Sequence, residues 1–195
     1  MPDSSERRLA IATGNPGKLA EYEDLLAGLG WVLIPCDTGV AETGATYEAN
    51  ARLKAEAAAA ASGLPALGDD SGLEVEGLGG FPGLHSARVA PTQPERLAIL
   101  AQRLAGQPRP WRARFVCWVA LAVPGRPTRT FAGEVEGEIV PEPVGEGGFG
   151  YDPVFLVPEL GQTYAQMGRE AKHRFSHRTR AVRRLIDSGA LTEPL

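Results

Sequence analysis

A chain of 195 residues, 43% hydrophobic and 23% charged, has the make-up of one soluble globular domain spanning 1–195, long enough to bury a substantial core and to form two lobes. Its formal charge of -4 argues against indiscriminate nucleic-acid binding, because affinity for a phosphate backbone demands a basic surface. No window approaches the roughly 20 apolar residues of a membrane span, MPDSSERR lacks the apolar core of a signal peptide, and Cys36 and Cys117 sit in apolar runs as buried thiols do, so a soluble, cytoplasmic protein is expected.

In chain order, a short strand at Leu9 to Ala12 feeds the turn TGNPGK, Thr13 to Lys18. Asn15 can cap the helix that follows and Pro16 suits its first turn, with Leu19, Leu25, Leu26 and Leu29 as apolar positions up to Gly28–Gly30. Strand, glycine turn and helix start make a natural anion site, and a lysine in the first turn opposes the helix dipole unless an anion lies near. The spacing is not that of a Walker A loop, and a plain turn with a surface lysine is the alternative.

A second strand is expected at Trp31 to Cys36, then a loop with Glu42 and Gly44, then a helix from about Thr46 to Ser62 that Gly63 stops. Asn50 and Lys54 share one face of it, and the alanines beyond suit close packing on a sheet. Leu64 to Leu78 reads as two short strands around a turn carrying GDDSG, Gly68 to Gly72. Asp69 and Asp70 repel each other, so either a hard cation such as Mg²⁺ binds them or the pair is a simple Asp-Ser-Gly turn.

A glycine- and proline-rich loop over 79–91 precedes a helix at about Pro94 to Leu104. Arg112–Val123 and Thr128–Ile139 read as a hairpin around Pro124-Gly125, with Glu134, Glu136 and Glu138 alternating against Val135, Gly137 and Ile139 as a solvated sheet face. The loop GEGGFGYDP, Gly145 to Pro153, allows close backbone approach and offers Phe149 and Tyr151 as stacking surfaces beside Asp152, unless one of them is simply buried in a turn. A strand at Val154–Val157 follows. At the C-terminal end come a short helix and a longer one started at Ser176, with Ala181, Val182, Leu185 and Ile186 as its buried stripe and Gly189 as its stop. Lys172, His177 and Arg178 then gather near a helix start, as an anion site or as a basic surface patch.

Six short segments occur in register: ATGNPGK (Ala12 to Lys18), Glu42 with Asn50-Ala51 and Lys54, DDSGL (Asp69 to Leu73), PGLHSAR (Pro82 to Arg88), GGFGYDPVF (Gly147 to Phe155) and SHR (Ser176 to Arg178). On these, the chain resembles the Ham1-like inosine/xanthosine triphosphate pyrophosphatase family over nearly its whole length. The resemblance implies an α/β fold: an elongated mixed sheet flanked by helices, in two lobes around a central substrate cleft. It also implies a homodimeric, Mg²⁺-dependent enzyme that hydrolyses ITP, dITP and XTP to the monophosphate plus pyrophosphate.

Carried over residue by residue, Asp70 is the general base and a metal ligand, with Glu42 and Asp69 completing the carboxylate set. Thr13, Gly14, Asn15, Pro16, Gly17, Lys18, Lys54 and Ser71 hold the phosphates. Phe149, Gly150, Tyr151, Asp152, Lys172, His177 and Arg178 hold the base and sugar. Two departures are present: Ala49 stands where an acid is frequent and His85 where a tyrosine is common. Competing readings are a nucleotide-binding regulator without hydrolysis and a Maf-like pyrophosphatase for pyrimidine or modified nucleotides.

Overall fold

In the computed structural model, which describes residues 7–192, strand β1 covers Arg7–Ala12 and helix α1 covers Pro16–Leu25. The expectation of no signal-peptide core rests mainly on residues 1–6 and so lies outside the described residues. Asn15 is the cap that the sequence suggests: its side chain accepts from the amides of Gly17 and Lys18. Strand β2, Trp31–Pro35, leads to helix α2, Tyr47–Ser62, where Thr46 accepts the Ala49 amide. Gly63 ends α2 at φ 68, a left-handed conformation that a residue without Cβ takes cheaply.

The next element departs from expectation. Residues Ala66–Val75 form one continuous ten-residue strand, β3, with Asp69 and Asp70 inside it rather than in a turn between two strands. Asp, Ser and Gly favour turns only weakly against a ladder that pairs the backbone, and here tertiary partners for both carboxylates override the local preference.

Helix α3, Gln93–Leu104, opens with a capping box in which Thr92 and Glu95 exchange hydrogen bonds. Strands β4, Arg112–Ala122, and β5, Arg129–Ile139, are sheet neighbours joined through the Pro124-Gly125 turn. After β6, Phe155–Val157, and β7, Gln162–Thr163, come α4, Arg169–Phe175, and α5, His177–Asp187. The strand order is β2-β1-β3-β4-β5-β6-β7. Strand β1 runs parallel to β2 and β3, whereas β6 runs antiparallel to β5 and β7, so the sheet is mixed, as the resemblance implies.

The chain forms two interleaved units. The first takes the residues up to Asp70, Cys117–Gly133 and the segment from Arg178; the second takes Ser71–Val116 and Glu134–His177. In the first unit, period-two alternation sorts the core into two layers. Leu9, Ile11, Leu67, Val119 and Leu121 pack against Tyr22 of α1, Leu26 just after it, and Ala181, Val182 and Leu185 of α5. Their neighbours Ala10, Ala12, Ala66, Ala120 and Ala122 pack against the alanines of α2.

In the second unit Leu73, Val75, Phe115, Val135, Phe155 and Tyr164 pack with Leu100 and Leu104 of α3. Along β5, Glu134 and Glu136 are exposed while Val135, Gly137 and Ile139 are buried, the solvated face read from the sequence. Arg114 pairs with Glu74 and Glu134 there.

Candidate active site

Successive strand residues point to opposite faces, and this separates the two adjacent acids of β3. Gly68 and Asp70 face α2, as Ala66 does; Asp69 faces α1 and α5, as Leu67 does. Both carboxylates are buried, at 1% and 5% exposure, so each must be satisfied by groups the fold brings to it.

On the α2 side, Asp70 Oδ2 accepts from Asn50 Nδ2 at 3.0 Å and Asp70 Oδ1 from Lys54 Nζ at 3.2 Å. Lys54 also donates to the Asp69 main-chain oxygen at 3.0 Å and pairs with Glu42. Asn50 Oδ1 accepts the Gly44 amide at 2.8 Å, which ties the loop carrying Glu42 to the helix carrying Lys54. The close approach of strand and helix depends on Gly68, where a Cβ would lie 2.5 Å from the Ala55 nitrogen and 2.7 Å from the Ala51 oxygen. Helical spacing puts Asn50 and Lys54 in the sequence reading together; the bridging task of Asn50 was not legible there. Ser71 follows in the strand and is half-buried.

On the other face, Asp69 Oδ2 pairs with Lys18 Nζ at 3.1 Å and accepts from Arg178 Nη2 at 2.9 Å and Nε at 3.2 Å. Arg178 Nη1 pairs with Glu21. Burial pushes the Asp69 carboxyl up, but the charges of Lys18 and Arg178 outweigh it and hold the group well below the usual carboxylate range. Burial pulls the Arg178 guanidinium down, yet Asp69 and Glu21 more than compensate and hold it well above its ordinary value. Burial pushes the adjacent Cys117 thiol up, in keeping with a small buried hydrophobe; Cys36 is only half-buried.

The phosphate loop expected at Thr13, Gly14, Asn15, Pro16, Gly17 and Lys18 is an exposed to half-exposed turn whose first amides are already taken by Asn15. Thr13 Oγ1 accepts the Asn15 amide at 3.1 Å. The Lys18 ammonium, only partly exposed, is the one cationic side chain in the turn's sequence.

In the second unit, Lys172 Nζ pairs with Asp152 Oδ2 at 2.7 Å and stands over the Phe149 ring at 4.8 Å. The same Asp152 oxygen accepts the Phe149 amide at 2.8 Å, which folds the Gly147–Asp152 turn back on itself. Gly148 makes this possible, since a Cβ there would fall 2.0 Å from that oxygen. Tyr151 is not a free stacking surface: its ring is in the core, its hydroxyl donates to the Ser86 oxygen at 3.1 Å, and burial pushes its pKa up to about 12. Gly150 accepts from Gln93 Nε2 at 2.8 Å.

His177 stacks on Phe115 with centroids 4.6 Å apart and planes 8° from parallel, and Tyr164 lies near both His177 and Lys172. Lys172 and His177 are thus brought together around Tyr164, a residue the motifs did not flag. Arg178, expected beside them, is 1% exposed and turns its guanidinium to Asp69 and Glu21 instead.

The donor chemistry at Glu42 and Asp70 fits Mg²⁺: two hard carboxylates converge on one cationic centre, the Lys54 ammonium, and Mg²⁺ commonly takes one or two carboxylates plus substrate phosphates and waters. Asp69 lies on the opposite face of β3 and does not share that place. Among the described residues no group of three His, Cys, Asp or Glu side chains gathers to hold a metal ion. Nor is any helix among them long and apolar enough to cross a membrane.

Comparison with known proteins matches residues 9–188 to a model of the Ham1 family. A dITP/XTP pyrophosphatase from Gloeobacter violaceus is 52% identical over 182 residues, spanning 92% of this chain and 93% of the relative. One from Thermus thermophilus is 50% identical over 190 residues, spanning 93% and 91%. Among solved structures, the Staphylococcus aureus Ham1 protein aligns with a TM-score of 0.83 at 39% identity, covering 94% of this chain and 100% of that one. A HAM1 protein from Coxiella burnetii aligns with a TM-score of 0.84 at 38% identity, covering 96% and 99%.

Proposed function

Because this chain belongs to the Ham1 family, we propose that it hydrolyses the non-canonical purine nucleoside triphosphates ITP, dITP and XTP to the monophosphate plus pyrophosphate. The observation that carries the reading is Asp70, a buried carboxylate on a central strand with one oxygen held by Asn50 and the other by Lys54. Relatives named dITP/XTP pyrophosphatase support the choice of substrate.

In the proposed reaction water attacks the α-phosphorus. A new P–O bond forms, the bond from the α-phosphorus to the bridging oxygen breaks with its electrons going to pyrophosphate, and Asp70 takes the proton from water. Asn50 and Lys54 fix the direction in which that carboxylate can accept it. Lys18, Lys54 and the groups of Thr13 to Gly17 and Ser71 offset the charge of the phosphates. Glu42 and Asp70 would hold Mg²⁺, which supplies Lewis-acid neutralisation of phosphate charge when bound.

Recognition of the base is assigned to Phe149, Gly150, Asp152, Lys172 and His177. Lys172 is a donor suited to a 6-oxo group, and a site built on such hydrogen bonds rejects a 6-amino purine more strongly than shape alone, which gives about 10- to 200-fold. We place the enzyme in the cytoplasm as a homodimer, a state that light scattering would test.

The function is tested by incubation with dITP, XTP, dTTP and ATP plus Mg²⁺ while pyrophosphate and orthophosphate are measured separately. Pyrophosphate from dITP and XTP is expected. Orthophosphate as the first product would overturn pyrophosphohydrolysis, preference for dTTP would move the substrate to pyrimidines, and absence of turnover would leave a nucleotide binder.

A further inference from the structure

The proposed reaction makes no use of Glu21, yet Glu21 is 7% exposed and its carboxylate pairs with a fully enclosed guanidinium. It lies on α1 three residues after Lys18, so the two share a helix face. Between them stands an alternating row of charge: Glu21, Arg178 from α5, Asp69 from β3, and Lys18. The Arg178 and Asp69 side chains are sealed at 1% exposure, whereas Glu21 keeps 9% and Lys18 14%. The row therefore has an enclosed middle and reaches, at its Lys18 end, the turn read as the phosphate loop.

The geometry of this row links its two ends through shared atoms. A guanidinium is a rigid planar fork, and here Nη1 goes to Glu21 while Nε and Nη2 go to Asp69, so its orientation is set from both sides. Arg178 and Lys18 both use the same Asp69 oxygen, Oδ2; Oδ1 accepts no hydrogen bond among the described residues. One oxygen shared by two cations cannot move toward either without changing its hold on the other. A guanidinium released by Glu21 would take more of Oδ2 and draw it from Lys18.

We infer that Glu21 is a positioning residue for phosphate binding: through Arg178 and Asp69 it sets where the Lys18 ammonium stands, and so tunes affinity for the substrate's triphosphate rather than the chemical step. This rests on the reading that Lys18 meets the phosphates. A purely structural ion pair would instead lower stability and leave the affinity of folded protein unchanged.

The test uses the full chain in five forms: wild type, Glu21→Gln, Glu21→Asp, Lys18→Met and the Glu21→Gln/Lys18→Met double variant. Calorimetry gives Kd for inorganic tripolyphosphate, turnover of dITP gives KM and kcat, and thermal unfolding gives Tm. Glu21→Gln should weaken tripolyphosphate binding and raise KM by roughly 3- to 30-fold, the range of coupling between residues in one network, with kcat within about twofold of wild type. In the Lys18→Met background the same change should add nothing. Unchanged Kd in folded Glu21→Gln, or effects that multiply in the double variant, would overturn the inference. So would failure of both Glu21→Gln and Glu21→Asp to fold, the signature of a structural pair, or a wild type that does not bind tripolyphosphate. Coupled tripolyphosphate binding without pyrophosphate release from dITP would instead sink the hydrolysis reading and leave the inference standing.

Discussion

On one face of β3, Asp69 is enclosed by Lys18, Arg178 and, behind them, Glu21; on the other, Asp70 meets Asn50 and Lys54 among the described residues, with Glu42 sharing that lysine. The two acids are chain neighbours of the same type and are nearly equally buried, yet their surroundings differ in kind. Asp69 has two cations on one oxygen, which makes its charge part of the architecture. Asp70 has one cation, shared with a second carboxylate, and a neutral amide that orients it. A carboxylate oriented but not saturated by charge can take a proton or a metal; one locked by two cations serves to hold them in place.

The sharpest way to break this division is Asp70→Asn. Turnover should fall by about 10²- to 10⁴-fold, the usual worth of a positioned general base, while the thermal midpoint stays near that of wild type. Pyrophosphate release and thermal unfolding, measured together, check it, and wild-type-like turnover would remove Asp70 from the role. For Asp69→Asn the order reverses: losing the anion between Arg178 and Lys18 should cost about 3–5 kcal/mol in denaturant unfolding. Normal stability with lost turnover would show that the two acids had been assigned the wrong way round.

Acid sharpens the same contrast. Asp69 titrates lower in the folded chain than in the unfolded one, so the stability it contributes is complete above about pH 4, its unfolded value, and drains away as pH falls toward its lower folded value. Wild type should lose stability through this group in that window, a loss absent from Asp69→Asn when unfolding is followed against pH. The smallest effect is expected from Gly68→Ala, whose Cβ would press on the α2 backbone at 2.5 Å. Overpacking of this kind costs about 1–3 kcal/mol, and the displaced helix should slow turnover through Lys54 and Asn50.

Much of the fold was legible because its signals are local. The Asn15 cap, the Gly63 stop, the Pro124-Gly125 turn and the alternating acids of β5 each depend on residues a few positions apart, and each stands where the sequence puts it. The grouping of Lys54 with Asp70 was legible in part, since Asn50 and Lys54 fall on one helical face. The continuity of β3 was not, because GDDSG has turn composition and its stabilising partners lie elsewhere. Arg178 is 109 residues from Asp69 and 157 from Glu21, so no window of sequence could pair them. For the same reason the motif SHR could not show that its histidine stacks on Phe115 while its arginine faces Asp69.

The sequence by itself determined the family, the order of helices and strands, and the residue types available for a nucleotide and Mg²⁺, since all of these are written in short motifs and periodicities. Only the tertiary structure decided which side-chain partners each acid has. That choice depends on the face of a strand to which each carboxylate points and on cations delivered from distant helices, and both exist only once the sheet is paired and α1, α2 and α5 are packed against it.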